Sequence, residues 1–344
     1  MFDTENITPM SDEEFVSIRN FVYDHCGMYF EKDRKYLLEK RLSRRLVINQ
    51  IPTFTDYLLF LKYDQHADEE VAIAVDLLTI NETYFFRENY QLQAFIKEII
   101  PELVKKKKDK TIRIWSAGCS TGEEPYTLAM LISNATVKLG IEDWNIEILG
   151  SDISHRVLSV AREGVYSKSS FRETDESYLS FFDKVSSGYR VKDELRKNIS
   201  FIHLNLLDKK RIGLLKTMDV ILCRNVIIYF DVEAKKKVVQ SFHETLDKGG
   251  YLLLGHSESL MNVSTLFGLK HLKNDMVYQK PGGENTVEDT APEERERITD
   301  FSSLFTSEVA ETNNSENEPT TNKEDEQSTE EPSSLSWSKI WEKK

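Results

Sequence analysis

Between residues 11 and 108, apolar side chains recur at helical spacing. Phe15, Ile18, Phe21 and Val22 form one stripe. Ser11 precedes it and Glu14 follows three residues later, the pattern of a capping box. Leu37, Leu38, Leu42, Leu46 and Val47 form a second stripe, and Phe54, Tyr57, Leu58 and Leu61 a third after Pro52 and Thr53. Val71, Val75 and Leu78 mark a fourth, and Phe95, Ile99 and Leu103 a fifth. The basic run Lys105–Lys108 reads as a solvated helix end. The pattern predicts a flexible start over 1–10 and an all-α domain over 11–108.

From Thr111 the period shortens. IRIW, IEILGSD, ISFIHLNLL, DVILCRN and YLLLGHSE read as buried strands. Three helical stretches lie among them: EEPYTLAMLISNATVK, HRVLSVAREGVY and AKKKVVQSFHETLD, the last ended by Gly249 and Gly250. LKHL and MVYQK predict a terminal hairpin. Strands alternating with helices imply an α/β fold, a doubly wound and mostly parallel sheet over 109–281, whose ligands bind beyond the carboxyl ends of the strands. Residues 167–198 break the alternation with a short helical part and a strand-like GYRVK, which predicts an inserted subdomain. From residue 282 the chain is rich in Glu, Ser, Thr and Asn without a periodic core, and predicts a disordered acidic tail over 282–344.

Charge narrows the function. The net charge is −13, and residues 284–344 carry 17 acidic against 6 basic side chains, leaving the body almost neutral. A neutral body lacks the basic footprint of nucleic-acid binding. No run approaches the apolar length of a membrane span, and MFDTENITPMSDEEF lacks the apolar core of a signal peptide. Cys26, Cys119 and Cys223 are too few and too scattered for a disulfide framework or a zinc site. A cytoplasmic protein is expected, with no metal and no membrane insertion.

Two strand ends carry candidate chemistry. The loop Ser116–Tyr126, SAGCSTGEEPY, combines Gly118, Ser120 and Gly122 with a following helix. Glu123 and Glu124 at that helix start would repel a phosphate and suit a cationic or hydroxyl-rich ligand; compensation of the helix dipole explains one of them well and two adequately. Asp152 ends the second predicted strand, where it can accept from ribose hydroxyls or cap the helix beginning near His155. The pair of features points to an adenosine-type ligand without a phosphate, and to S-adenosylmethionine over a dinucleotide.

TYFFRE (Thr83–Glu88), WSAGCSTGEEPY (Trp115–Tyr126), SDIS (Ser151–Ser154), NLL (Asn205–Leu207) and CRNVIIYF (Cys223–Phe230) occur in that order. In this the chain resembles the CheR family, the chemoreceptor glutamate methyltransferases of bacterial chemotaxis, over roughly 11–280. The resemblance implies a helical domain joined to a class I methyltransferase domain with a small β-subdomain. It places Asn81, Thr83 and Arg87 over the cofactor, Glu124 at its amine side and Asp152 at the ribose. It places Asn205 and Leu206 by the adenine, Arg224 and Asn225 along the pocket, and Tyr229 facing the methyl group. Arg87 and Tyr229 are then the catalytic candidates; an interface ion pair and a core aromatic are their structural alternatives. Cys119 stands where the family pattern has small residues, and fits as a packing residue.

The chemistry follows from charge. A glutamate is ionised at neutral pH and needs no base to attack a sulfonium methyl group. His256, after the last parallel strand, is therefore read as structural. Lys40, Arg41, Arg44 and Arg45 lie opposite the leucine stripe of the second helix, either as a solvated face or as a docking face for an acidic receptor bundle. In the tail, Trp337, Ile340 and Trp341 repeat the spacing of Phe301, Leu304 and Phe305, which reads as a docking motif or as unselected sequence. The expected partner is a chemoreceptor cytoplasmic bundle, the expected location a receptor array, and the expected state a monomer. A cofactor-binding scaffold and a small-molecule carboxyl methyltransferase are the competing readings.

Overall fold

The structure, a computed structural model, describes residues 9–273 and 275–282. The tail motifs around Phe301 and Trp337 lie outside the described residues. Four helices come first: α1 (Asp12–Cys26), α2 (Lys35–Asn49), α3 (Phe54–Tyr63) and α4 (Ala67–Leu78). The capping box forms as the spacing predicts. Ser11 Oγ accepts from the Glu14 N–H at 3.1 Å, and Glu14 Oε2 accepts from the Ser11 N–H at 2.8 Å. The other Glu14 oxygen accepts from the Thr55 N–H at 2.9 Å and so pins the start of α3 to that of α1. Phe15, Ile18, Leu38, Leu42, Leu46, Phe54, Tyr57, Val75 and Leu78 close into one buried core.

The fifth stripe belongs elsewhere. α5 (Asn89–Ala94) runs through a π-helical turn (Phe95–Ile99) into α6 (Ile100–Lys106). The sequence reading assigned it to the helical domain, but its polar ties run to the sheet. Gln91 donates to the Leu254 carbonyl, the Lys273 N–H donates to Glu98, Lys270 pairs with Glu102, and Lys107 pairs with Asp219 at 2.7 Å. Its apolar stripe needs a face to cover, and the sheet supplies one.

The sheet strands are β1 (Thr111–Ala117), β2 (Asn145–Asp152), β6 (Ile199–His203), β7 (Met218–Cys223), β8 (Leu246–Leu254), β9 (Gly268–His271) and β10 (Met276–Gln279). Their order is β6-β2-β1-β7-β8-β10-β9. The first five are parallel, and β10 and β9 add as the antiparallel hairpin that the sequence predicts. α7 (Glu123–Leu139), α8 (His155–Glu163) and α11 (Val232–Thr245) connect the strands, with single turns α9 (Asp193–Arg196) and α10 (Lys209–Ile212). The order changes direction at β1, so the loops after β1 and β7 diverge and leave a cleft at the strand ends.

Two boundaries differ from the sequence reading. α11 ends at Thr245, and Gly249 and Gly250 lie inside β8, where the pairing slips between Met218↔Leu246 and Val220↔Tyr251. Leu246 is buried against β7, so the chain turns strand-like early, and Gly249 at φ +73° absorbs the irregularity. α8 likewise stops at Glu163 with Gly164 in the left-handed region, releasing Val165–Tyr166 as β3. β3 joins β5 (Gly188–Val191) and β4 (Phe182–Val185) in a small antiparallel sheet, the inserted subdomain.

One buried ion pair stitches the helical core. Arg45 Nε and Nη2 donate to Glu70 at 2.8 and 2.6 Å, and the Tyr57 hydroxyl donates to Glu70 Oε1 at 2.7 Å. Burial works to raise the Glu70 carboxyl; the bonds from Arg45 and Tyr57 outweigh it and hold the group below its ordinary value. A group with a lowered folded-state value stabilises above the ordinary carboxylate range, and that contribution fades as pH falls through the folded value. Glu70→Ala is expected to cost about 3 kcal/mol in urea unfolding at pH 7 by leaving Arg45 and Tyr57 unpartnered. The difference from the parent should shrink on acidification; a difference independent of pH would refute the assignment.

Candidate functional site

The cleft lies at the carboxyl ends of β1, β2, β6 and β7, with Thr79–Arg87 and residues of α1 and α2 along its other wall. The loop after β1 sits close against its neighbours. Gly118 has φ +83°, and a Cβ there would lie 2.4 Å from Val226 Cγ2. The Gly118 and Cys119 N–H groups donate to the Ser151 carbonyl at 2.8 and 2.9 Å. Ser120 Oγ donates to the Asn81 carbonyl at 3.1 Å, tying this loop to the wall that comes from the helical side.

Asp152 is buried at the tip of β2. Its Oδ2 accepts from the Ser120 N–H and its Oδ1 from the Ser154 N–H, each at 2.9 Å. Burial pushes its carboxyl up, against the pull of these N–H groups. The capping alternative does not hold: Ser154 caps α8, its Oγ accepting from the Val157 N–H at 3.2 Å. Asp152 instead joins two loops at the edge of the cleft.

The paired glutamates separate. Glu123 turns toward the subdomain, accepting from Thr121 Oγ1 at 2.6 Å and Ser170 Oγ at 3.1 Å, and burial pushes its carboxyl up. Glu124 faces the cleft, accepts from Ser116 Oγ at 2.6 Å and pairs with Arg224 Nη1 at 2.9 Å. Arg224 is buried, and its Nη2 donates to the Arg87 carbonyl at 2.6 Å and to Glu88 Oε2 at 3.2 Å. Asn225 has φ +60° and reaches Glu88 through Nδ2 at 3.4 Å. Arg224 Nε and Asn225 Oδ1 are buried at this wall without a protein partner.

The remaining sequence candidates fall around the same cleft. Asn81, Thr83 and Arg87 line it from above. Arg87 Nη1 donates to the Glu82 carbonyl at 2.8 Å, and its guanidinium lies 5.7 Å from the Tyr84 ring centre. Leu206 is buried on the β6 side. Asn205 beside it donates to the His25 carbonyl and accepts from the Leu207 N–H at 3.0 Å, so much of its amide is spent holding α1 to the loop after β6. Tyr229 sits on a short 3-10 turn (Ile227–Tyr229) and lines the cleft, and its carbonyl accepts from the Tyr29 N–H at 3.0 Å. His256 lies outside the lining, exposed, with its N–H donating to Glu88 at 3.3 Å.

The basic face of α2 divides. Arg45 is committed to Glu70, and Arg41 donates to the Leu78 carbonyl at 2.7 Å on the cleft wall. Lys40 and Arg44 remain exposed. The four residues do not share one open face: i and i+4 place Arg41 and Arg45 on a strip facing α4, where they meet the Leu78 carbonyl and the Glu70 carboxylate. Two carboxylates that hold segments of the cleft wall escaped the sequence reading. Glu88 stood inside TYFFRE without a role, and Glu258 acts through backbone groups far away in sequence, which no spacing signals.

The cleft suits S-adenosylmethionine on its own chemistry. Carboxylates suit the ligand's cationic side and hydroxyls, Arg87 its carboxylate, and Ile153, Leu204 and Leu206 an apolar base. Residues 13–79 match the family description "CheR methyltransferase, all-alpha domain", and residues 81–275 match "CheR methyltransferase, SAM binding domain". The chain is 36% identical over 274 residues to chemotaxis protein methyltransferase 2 of Vibrio cholerae, covering 79% of this chain and 94% of that protein. It is 34% identical to the chemotaxis protein methyltransferase of Borreliella burgdorferi, covering 73% and 89%, and 31% identical to chemotaxis protein methyltransferase 1 of Pseudomonas aeruginosa, covering 78% and 98%.

Arg224 gives a direct test of the site's electrostatics. Arg224→Met keeps the bulk but leaves the half-buried Glu88 and Glu124 without their cation. Unfolding midpoints in denaturant should show a loss of about 3 kcal/mol. Adding Glu88→Gln and Glu124→Gln should recover part of it; a triple variant no more stable than Arg224→Met would show that charge pairing is not the cause.

Proposed function

The chain belongs to the CheR methyltransferase family, and on that premise we propose that it transfers the methyl group of S-adenosylmethionine to glutamate side chains of chemoreceptor cytoplasmic domains. It is a methyltransferase that uses S-adenosylmethionine; the glutamate ester product is the finer reading. The observation that carries it is the absence of a suitable base. Among the described residues, neither histidine nor lysine lines the cleft. Burial pushes the Cys26 thiol up to about 12 and the Cys119 thiol well above its ordinary value. In this reading Asp152 is given to backbone N–H groups and to ribose, Glu124 is held by Arg224 and Ser116, and Glu82 pairs with Arg172. A nucleophile entering such a cleft must arrive already deprotonated, as a glutamate side chain does at neutral pH.

When bound, S-adenosylmethionine supplies an electrophilic methyl on a sulfonium. In this reading a glutamate oxygen bonds to that methyl carbon as the carbon–sulfur bond breaks, its electron pair passing to sulfur, so that anion and cation give a neutral ester and a neutral thioether. The protein's part is positioning and exclusion of water. Asp152 accepts from the ribose hydroxyls. Glu124, fixed by Arg224, faces the amine side. Asn205 and Leu206 shape the adenine end, with Asn81 and Thr83 above. Arg87 orients a carboxylate, Asn225 lines the pocket, and Tyr229 flanks the methyl trajectory.

Two experiments test this. Label from methyl-labelled S-adenosylmethionine should appear on a receptor cytoplasmic fragment and leave as volatile methanol in mild alkali. In the same assay Asp152→Ala should raise the KM for S-adenosylmethionine at least tenfold, since hydrogen bonds to a charged group contribute about 1.5–3 kcal/mol each. Alkali-stable label would indicate N- or S-methylation and defeat the ester reading. Docking is assigned to Lys40 and Arg44, the exposed half of the basic face. Lys40→Glu with Arg44→Glu should slow receptor methylation several-fold at low salt, less at high salt, with cofactor affinity unchanged. Equal rates at low salt would make that face a solvated surface.

A further inference from the structure

Glu258 lies just beyond β8, in a turn closed by its own N–H donating to the Gly255 carbonyl at 2.9 Å. Its carboxylate gathers backbone donors from two segments. Oε2 accepts from the Asn225 N–H and the Gly255 N–H, each at 2.7 Å. Oε1 accepts from the Val226 N–H at 3.0 Å and the Ile228 N–H at 3.2 Å. Four donors fill the acceptor positions of an ionised carboxylate, so Glu258 has none left for a substrate or cofactor. It does not line the cleft. Whatever it does for the reaction, it does through the loop it holds.

That loop is the one ending in Tyr229. Asn225 has φ +60°, and Val226, which precedes the 3-10 turn, has no side-chain cap. Three of the N–H groups that Glu258 takes would otherwise be orphans at the start of a turn too short to satisfy them. A glutamate about 30 residues away thus serves as the turn's missing cap. The glutamate is itself fixed: the Leu260 N–H donates to the Tyr278 hydroxyl on β10 at 3.0 Å. The junction also has no spare room. A Cβ on Gly255 would lie 2.8 Å from Asn225 N and 2.9 Å from Glu258 Oε2.

We propose that Glu258 is a positioning residue for methyl transfer, holding Asn225 through Tyr229 in the reacting conformation by these backbone bonds. The proposal rests on Tyr229 flanking the methyl trajectory. Asn225 and Val226 line the cleft, but Asp152 and Asn205, the groups assigned to ribose and adenine, are held by other bonds and receive none from Glu258. Turnover should therefore depend on it far more than cofactor affinity does.

Glu258→Gln tests this in the full chain, because an amide presents an N–H₂ group to two of the donors. With a receptor fragment and saturating S-adenosylmethionine, kcat should fall at least tenfold while the calorimetric Kd for S-adenosylmethionine stays within threefold. Gly255→Ala, which disturbs the same junction from the other side, should reproduce the split and serves if Glu258→Gln does not fold. Rates within twofold of the parent, or kcat and Kd worsening by similar factors, would overturn the proposal. Tyr229→Phe separates the two readings. If it is slow, adding Glu258→Gln should slow it less than twofold further; multiplying losses would refute action through Tyr229. If Tyr229→Phe alone is as fast as the parent, the reading of Tyr229 fails, and Glu258 is decided by the kcat and Kd split.

Discussion

The buried guanidinium of Arg224 is the interaction on which the site depends. It comes from the end of β7, meets Glu124 at the start of α7, and meets Glu88 and the Arg87 carbonyl from the segment that leads out of the helical domain. A charge this buried is retained only when it is paired and hydrogen-bonded. Satisfying it requires all three segments at once. The cation thereby fixes where the wall carrying Arg87 stands relative to the strand ends, and it holds the Glu124 carboxylate in place at the cleft surface.

Backbone N–H groups do the rest of the positioning, and side-chain carboxylates receive them. Glu14 takes N–H groups from Ser11 and Thr55, Asp152 from Ser120 and Ser154, and Glu258 from Asn225, Val226, Ile228 and Gly255. Loops at strand ends cannot satisfy their own amides through a ladder, so an acceptor must come from outside. A carboxylate serves two or more amides at once, which lets one residue set the relative position of two loops.

The same distribution of charge bears on the proposed reaction. Charge separation is destroyed when an anion meets a sulfonium, so a poorly solvated cleft favours the products over the ionic reactants. The cleft walls carry the apolar Met28, Phe30, Leu78 and Ile153 beside the carboxylates, and the helical domain contributes much of that cover. Its core packs independently, yet Tyr229 and Phe230 from the methyltransferase side pack against it. The Tyr29 N–H bond to the Tyr229 carbonyl is the backbone seam between them.

Periodicity alone determined most of the elements. The apolar stripes marked α1 to α4, and the shift to short apolar runs marked the parallel strands, because burial of one face or both imposes those periods directly. The ordered motifs singled out the strand-end loops and about half of the residues that line the cleft, and left out most of the wall that comes from the helical side. What the sequence left open depended on partners distant along the chain. Whether Asp152 capped a helix, whether Glu123 and Glu124 acted together, and which of four basic residues on α2 stayed exposed were settled largely by partners distant along the chain, among them Ser120, Arg224 and Glu70. The stripe at Phe95 could not say which face it would cover. Glu258 had no signal at all, since its partners are main-chain amides, and every residue but proline has one of those.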